Sequence, residues 1–160
     1  MRRVLARNAS IETRELAPAA TAEQFGLFRR YQAGRHPGGG MADMDFEEYR
    51  AMVEDTPVET FLVEFRGPDG TLTGVSLGDR LSDGLSLVYS FFAPEGRCSP
   101  GTFMILWHIQ RTQALGVDYV YLGYWIAGSP KMGYKARFQP FEAWTEQGWQ
   151  AVNSNTPEPI

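Results

Sequence analysis

The chain has 160 residues, of which 43% are apolar and 13% aromatic, and this predicts one domain with its own hydrophobic core. Its net charge is −4, and a single cysteine, Cys98, excludes an intrachain disulfide and a cysteine-based metal cage. The sequence has no run of about 18 apolar residues that would span a membrane, and its first residues, MRRVLARN, lack the apolar segment of a signal peptide. We therefore expect a cytoplasmic protein with no membrane partner, no metal and no cofactor.

Hydrophobic spacing and turn residues predict an α+β fold with a mixed, mostly antiparallel sheet flanked by helices. Helices are expected from a Thr21 cap to residue 33, over 45–54, and from Ser99 to residue 115, where Gly116 ends the helix. Short strands are expected within 3–16 and over 141–144, and longer ones over 59–65, 71–79, 85–92 and 118–126. Residues 35–40 are expected to be a loop. One domain should cover 1–150, followed by a polar disordered tail over 151–160.

Residues 119–141, YVYLGYWIAGSPKMGYKARFQPF, join an aromatic strand to a turn and a basic segment. Both faces of the strand are apolar, so we expect it to be central and covered on both sides. Ser129 is expected to cap a helix that begins at Pro130, which places Lys131 and Lys135 on one face of that helix. These lysines either bring positive charge to an anionic ligand or form a solvated helix face.

Five segments together resemble a known family. They are YLGYWIxxSPKMxYKxxFxP within 121–140, YQAGRHPGGGM at 31–41, VSLGDRL around Asp79, the SLVYSFFAP strand and the GTFMILWHI helix. Over roughly residues 2–149, their order is similar to that of the aminoacyl-tRNA–protein transferases of the arginyl/leucyl type, above all the bacterial aspartate/glutamate leucyltransferases. The resemblance implies a GNAT-like acyltransferase fold. It also implies transfer of leucine, or alternatively arginine, from charged tRNA to proteins that begin with Asp or Glu, in the N-degron degradation pathway.

The implied tRNA partner requires local cationic surface rather than a basic total charge. Residues 1–41 hold seven arginines and three acids, whereas residues 42–69 hold nine acids and two arginines. The first segment is therefore the better candidate for a tRNA-binding patch, and the acidic block is either functional or ordinary solvated charge.

The predicted helix at Ser99 begins with Pro100, and this combination is favourable on local grounds alone. Under the resemblance, the free N–H groups of Gly101 and Thr102 face the donor's terminal adenosine or its ester carbonyl. Ser99 is also a candidate for hydrogen bonding at the reacting centre.

Asp79 and Tyr89 are the other candidate catalytic residues. Asp79 either orients the attacking amine or the 3′-terminal ribose, or only starts the turn before Asp83. Tyr89 is a candidate hydrogen-bonding group at the reacting centre. Because an aminoacyl ester is already activated and an α-amine has a pKa of about 7.7–8.0, positioning and oxyanion stabilisation should outweigh base catalysis.

Substrate binding is assigned to further residues. Arg35 and His36, followed by three glycines, are candidates for recognising the carboxylate of the acceptor, or they belong to a flexible surface loop. Trp125 either stacks on adenine or is a core aromatic. His108 is expected to be a satisfied core histidine. Lys131 and Lys135 are candidates for binding phosphate or the donor's 3′ end, and Ser129 and Tyr134 are further candidate substrate-binding residues.

The sequence departs from the family pattern in three respects. Family members carry a preceding cysteine-rich domain that is absent here, so we expect this region to be the C-terminal transferase domain. Ala93-Pro94 stands where the family has Asp-Pro. Ser99-Pro100-Gly101 stands where it has Ser-Leu-Gly, and the proline removes one N–H from the ligand-facing turn.

Two other functions fit the same residues. The first is an acyl-CoA-dependent N-acyltransferase, for which residues 94–101 form a weak version of a glycine-rich pyrophosphate loop. The second is a peptide-binding module without catalytic activity.

Overall fold

The computed structural model describes residues 1–95, 98–129 and 132–152. The chain divides into two compact units, residues 1–121 and 122–160. The single domain expected over 1–150 stays a prediction. Of the expected tail, Ala151 belongs to a strand, and residues 153–160 lie outside the described residues. Within the described part, the helices are too short or too polar to cross a membrane.

The first unit is a five-stranded sheet with helices on both faces. The strands follow the order β1-β2-β3-β4-β5, antiparallel except for the parallel pair β4–β5. This confirms the α+β prediction. In chain order the elements are α1 (Arg2–Arg7), β1 (Glu12–Leu16), α2 (Ala22–Arg35), α3 (Phe46–Glu54), β2 (Thr60–Arg66), β3 (Leu72–Arg80), β4 (Gly84–Phe92), α4 (Pro100–Leu115) and β5 (Tyr119–Tyr121).

The second unit contains a 3-10 helix, Lys135–Arg137, and the hairpin of β6 (Glu142–Thr145) and β7 (Gly148–Ala151). Trp144 and Trp149 lie opposite each other in this hairpin, with ring centroids 5.4 Å apart. The helix predicted to begin at Pro130 is not confirmed, because Pro130 and Lys131 lie outside the described residues.

Local sequence signals determine where α2, α3 and α4 begin or end. Thr21 accepts the Gln24 N–H while the Gln24 side chain accepts the Thr21 N–H, and Asp45 makes the same capping box with Glu48. Gly116 ends α4 with a φ of 72°, a left-handed conformation that favours glycine. These boundaries confirm the predicted Thr21 cap and the Gly116 stop.

Two predicted strands differ in the structure. Residues Arg2–Arg7 form a helix, because Val4 and Leu5 are adjacent apolar residues that pack on the same cluster instead of alternating between faces. The strand predicted over 118–126 ends at Tyr121, since Gly123 has a φ of 71°. This strand lies at the edge of the sheet, with Tyr119 47% exposed, so the prediction of a covered central strand is wrong.

The two faces of the sheet carry separate cores. The period-two alternation of β2 divides its side chains, with Leu62 on one face and Phe61 and Val63 on the other. The first core joins the sheet to α2 and α3 through Leu27, Phe28, Tyr49, Val53, Leu62, Leu72, Val75, Leu77 and Phe91. The second joins it to α4 through Phe61, Val63, Phe65, Leu85, Phe92, Phe103 and Met104.

His108 lies in α4 and is fully buried. Its Nδ1 lies 2.8 Å from the Met104 carbonyl oxygen, whereas Nε2 has no hydrogen-bond partner among the described residues. The prediction of a satisfied histidine is therefore wrong for one of the two ring nitrogens. Burial lowers the pKa of His108 to about 4, because the charged imidazolium would lose its hydration.

We expect His108 to make the free energy of unfolding depend on pH. The unfolded imidazole gains a proton near pH 6.5, and the folded one only near pH 4. Stability should therefore fall as the pH drops from about 6.5 to about 4, with no further loss from this group below that range. In denaturant titrations, His108→Leu should lose this slope, whereas His36→Gln, which removes the chain's other histidine, should keep it. An unchanged slope in His108→Leu would contradict the assignment.

Gly84 permits the close approach of β4 and β5. It pairs with Tyr119, and an added Cβ would lie 2.3 Å from the Tyr119 carbonyl oxygen. We expect Gly84→Ala to lower the free energy of unfolding by about 1–3 kcal/mol, the usual cost of overpacking. The control Gly26→Ala adds a methyl group with no neighbouring atom within 4 Å, and should stabilise α2 by about 0.5–1 kcal/mol. Equal stability of Gly84→Ala and the parent chain would refute this strand contact.

Candidate active site

Side chains from α2 and β4 meet near the carboxyl ends of both elements. We call this group the α2–β4 cluster, and it consists of Tyr31, Gln32, Arg35, His36, Tyr89 and Phe92. Of these, the sequence predicted Arg35, His36 and Tyr89 as site residues. The other three lie within the segments YQAGRHPGGGM and SLVYSFFAP but were not singled out as site residues, although a glutamine on the buried face of α2 is an unusual core residue.

Aromatic contacts fix the positions of Arg35 and His36. The Tyr31 ring lies 5.1 Å from the Phe92 ring and 5.4 Å from the His36 ring, measured between centroids. The guanidinium carbon of Arg35 lies 5.3 Å from the Phe92 ring centroid, within the range of a cation–π contact. Arg35 is thus the last residue of α2 rather than the first of the loop, and the boundary predicted between helix and loop is corrected accordingly.

The Arg35 guanidinium is exposed and forms no ion pair with a described acidic residue. Its neighbour His36 is partly buried, with Nε2 3.4 Å from the Tyr31 hydroxyl oxygen. An arginine that is held in place but left without a carboxylate can bind one from a ligand, and its fork of N–H donors matches that group.

Tyr89 projects from β4 towards α2. Its hydroxyl oxygen accepts a 2.7 Å hydrogen bond from Nε2 of Gln32, and its ring packs against Phe28 and Phe91 at 6.2 and 6.4 Å. Burial raises the pKa of Tyr89 above its ordinary value, because the phenolate would be desolvated. Tyr89 therefore keeps its proton at neutral pH, so its O–H group is able to donate a hydrogen bond.

The first turn of α4 adjoins the same cluster. An added Cβ at Gly101 would lie 3.1 Å from the Phe92 ring, so backbone and ring are in contact. The N–H groups of Gly101 and Thr102 have no hydrogen-bond acceptor among the described residues. Ser99 occupies the N-cap position but does not cap the helix, because its left-handed φ of 54° differs from the extended conformation that capping requires.

Asp79 lies elsewhere on the sheet. It pairs with Ser86, whereas Phe92 pairs with Gly74, and the six residue steps from 86 to 92 span about 20 Å at about 3.3 Å per step. Asp79 also accepts a 2.7 Å hydrogen bond from the Thr60 hydroxyl. The structure thus brings Arg35, His36 and Gly101 together around Phe92 but does not bring Asp79 to them.

The second unit holds the remaining predicted residues that the structure describes. The Trp125 ring lies 5.2 Å from that of Phe141, edge to face, and its buried Nε1 has no partner among the described residues. The Ser129 carbonyl accepts the N–H groups of Met132 and Gly133 at 3.1 and 2.8 Å, which makes it part of a turn. Tyr134 is 41% exposed, and partial burial raises the pKa of its phenol.

Lys135 differs from the expected ligand-facing cation. Its Nζ donates to the Leu122 carbonyl at 2.7 Å and to the Tyr124 carbonyl, and burial lowers its pKa. The side chain thus stabilises the backbone of its own unit. Lys131, its predicted partner, lies outside the described residues.

A cavity of about 300 Å³ lies beside the first turn of α4. Its lining includes Ile11, Phe65, Cys98, Pro100 and Met104, and the predicted site residues are not among the side chains that line it. Among the described residues, no group of three or more His, Cys, Asp or Glu side chains is placed to bind a metal ion.

The fold of the chain is similar to that of solved acetyltransferases. The PaiA N-acetyltransferase of Thermoplasma acidophilum, in complex with coenzyme A, matches with a TM-score of 0.59 at 14% identity, over 88% of this chain and 95% of that one. An acetyltransferase from Streptococcus agalactiae matches with a TM-score of 0.58 at 12% identity, over 93% of this chain and 94% of that one. A GCN5-related N-acetyltransferase from Sphaerobacter thermophilus matches with a TM-score of 0.53 at 20% identity, over 85% of this chain and 44% of that one. The fold is therefore of the GCN5-related N-acetyltransferase (GNAT) class, as predicted.

Sequence relatives narrow this class to a family. The model of "Arginine-tRNA-protein transferase, C terminus" matches residues 23–145. An aspartate/glutamate leucyltransferase of Parvibaculum lavamentivorans is 56% identical over 151 residues, and another of Gluconacetobacter diazotrophicus is 55% identical over 154. The alignments cover 94% and 95% of this chain, and 63% and 59% of the relatives.

The chain belongs to the arginine-tRNA-protein transferase family, in the part described as its C terminus. It spans about three fifths of the length of the curated relatives that it matches.

We expect Lys135→Met to weaken the second unit, because the carbonyls of Leu122 and Tyr124 would lose a charged donor. The loss should be about 1 kcal/mol, at the lower end for such bonds because Lys135 is only partly buried. Hydrogen exchange of the peptides that cover residues 119–129 should rise. Arg137→Met, which removes a cation of the same 3-10 helix that makes no side-chain hydrogen bond with described residues, should leave exchange unchanged. Equal exchange in both variants would contradict the role.

Proposed function

We propose that this chain carries the transferase site of an aminoacyl-tRNA–protein transferase, which moves leucine from charged tRNA to the N-terminal Asp or Glu of proteins. Family membership and the names of the relatives support this proposal. Arginine is the alternative donor, since the family description names it. The products would enter an N-degron degradation pathway in the cytoplasm.

The observation that carries the proposal is the Arg35 guanidinium, which has no ion-pair partner among the described residues and lies one helical turn from Gln32 and its bonded partner Tyr89. One turn of α-helix rises about 5.4 Å. In an acceptor that begins with Asp or Glu, the α-amine and the side-chain carboxylate are separated by a similar short distance. Arg35 would bind the carboxylate while the amine lies towards Tyr89.

The reaction exchanges an ester for an amide. The neutral α-amine attacks the ester carbonyl carbon, the new C–N bond forms, and the C–O bond to the terminal ribose breaks. The amine loses one proton and the departing ribose oxygen gains one. Tyr89 donates to the carbonyl oxygen as negative charge develops, and the unused N–H groups of Gly101 and Thr102 lie towards the donor's terminal nucleotide. Asp79, whose partner Ser86 lies about 20 Å along β4 from Phe92, is not needed in this scheme.

The tRNA partner would bind exposed arginines of the first unit. Arg2, Arg3 and Arg7 on α1, and Arg29 and Arg30 on α2, are exposed and have no ion-pair partner among the described residues. Such side chains attract phosphates without reading sequence. Binding of tRNA should therefore weaken steeply as salt is raised.

The direct test is transfer of radiolabelled leucine from charged tRNA to a peptide that begins with Asp. It should be made with the 160-residue chain and with a chimera that adds the unmatched part of the Parvibaculum relative. Transfer by either protein supports the function, and parallel assays with arginyl-tRNA identify the donor. Failure of both folded proteins with either donor would overturn it.

Arg35→Gln should raise the KM for Asp-starting peptides by roughly tenfold to a hundredfold, since it removes a charge-assisted bond of about 1.5–3 kcal/mol. The KM for charged tRNA should change little. Arg30→Gln, an exposed arginine on the same helix, is the matched control and should leave the peptide KM unchanged. The same peptide KM in Arg35→Gln as in the parent chain would remove Arg35 from acceptor recognition.

A further inference from the structure

We propose that Gln32 is a positioning residue for the transfer, because it fixes the direction of the hydrogen bond at Tyr89 and leaves the tyrosine proton free for the substrate. This inference rests on the proposed function, in which Tyr89 donates to the ester carbonyl oxygen.

The direction of the bond follows from the donor and acceptor groups. A phenol has one proton to donate and an oxygen that accepts. Nε2 of Gln32 donates to the Tyr89 oxygen at 2.7 Å, so this contact uses the acceptor side and not the proton. The Tyr89 hydroxyl has no second hydrogen-bond partner among the described residues. Its O–H is therefore available to a ligand.

The burial of Gln32 makes its hydrogen bond to Tyr89 important for the fold of the site. Its side chain is only 2% exposed, and a buried amide is costly unless it is hydrogen-bonded. Donation into the Tyr89 oxygen also polarises the O–H bond and makes it a better donor. Gln32 lies on α2 one turn before Arg35 and His36, so the helix that positions the acceptor carboxylate also orients the donor hydroxyl.

Replacement by glutamate reverses the bond with almost no change of shape. An ionised carboxylate only accepts, so in Gln32→Glu it would accept a hydrogen bond from the Tyr89 O–H group, which would then no longer be available to the substrate. We expect Gln32→Glu and Tyr89→Phe each to lower kcat for leucyl transfer by roughly a hundredfold, the usual effect of losing one oxyanion donor, with a small change in peptide KM. The double variant should be no slower than the slower single variant, because each change removes the same hydrogen bond from Tyr89 to the substrate.

The pH profile separates positioning from a structural role. Burial raises the pKa of a carboxyl group, and the protonated form of the new glutamate can donate again. The kcat of Gln32→Glu should therefore recover relative to Tyr89→Phe as the pH is lowered. A merely structural defect predicts a constant ratio. The control Gln113→Glu makes the same change on an exposed residue of α4 and should keep kcat within about twofold of the parent.

Each outcome decides the question. The assays use the chimera, with the folded state checked by thermal unfolding. If Gln32→Glu does not fold, Gln32→Leu replaces it, and its kcat should fall roughly tenfold and be coupled to Tyr89→Phe. A normal kcat in either folded Gln32 variant, beside an active parent, would overturn the positioning role alone. No transfer by either the parent chimera or the 160-residue chain, with either donor, would overturn the proposed function and this inference together.

Discussion

Phe92, the last residue of β4, is the contact on which the candidate site depends. The Tyr31 ring packs on it edge to face, the Arg35 guanidinium lies over it, and the backbone of Gly101 abuts it. One ring thus joins the end of α2, the end of β4 and the start of α4. The end of α2 is remote in sequence from the other two, and an aromatic side chain at the end of this strand offers both a face for the cation and an edge for its neighbours.

The contrast between the arginines explains why Arg35 stands out. Glu15 binds both Arg80 and Arg111 and so ties β1 to β3 and α4. Burial by itself would raise the pKa of Glu15, but hydrogen bonds from Arg111 and Arg80 hold it below its ordinary value. Arg66 is likewise bound by Glu23 and Glu64. These arginines are neutralised by acids of the fold, whereas Arg35 lies over the Phe92 ring and forms no ion pair with an acid of the described part of the chain.

Sequence patterns were reliable where the decision is local. A capping box, or a glycine in a left-handed turn, involves residues that are neighbours in the chain, and the starts of α2 and α3 and the end of α4 follow from them. The patterns failed where the neighbours are distant. The aromatic alternation of residues 119–126 looks like a buried strand, but the sheet places β5 at an edge. Apolar residues at an edge and at the centre have the same period, so periodicity alone does not separate them.

The sequence by itself determined the family, the α+β class and the candidates Arg35, His36 and Tyr89, because motifs and helix signals are written in consecutive residues. Only the tertiary structure decided which of these candidates meet. It gave Arg35 a ring to rest on and Tyr89 a buried glutamine partner, kept Asp79 apart, and turned Lys135 onto backbone carbonyls of its own unit. The physical reason is that folding brings groups together from distant parts of the chain. These groups determine whether a side chain's charge is paired and whether its proton is already used in a hydrogen bond.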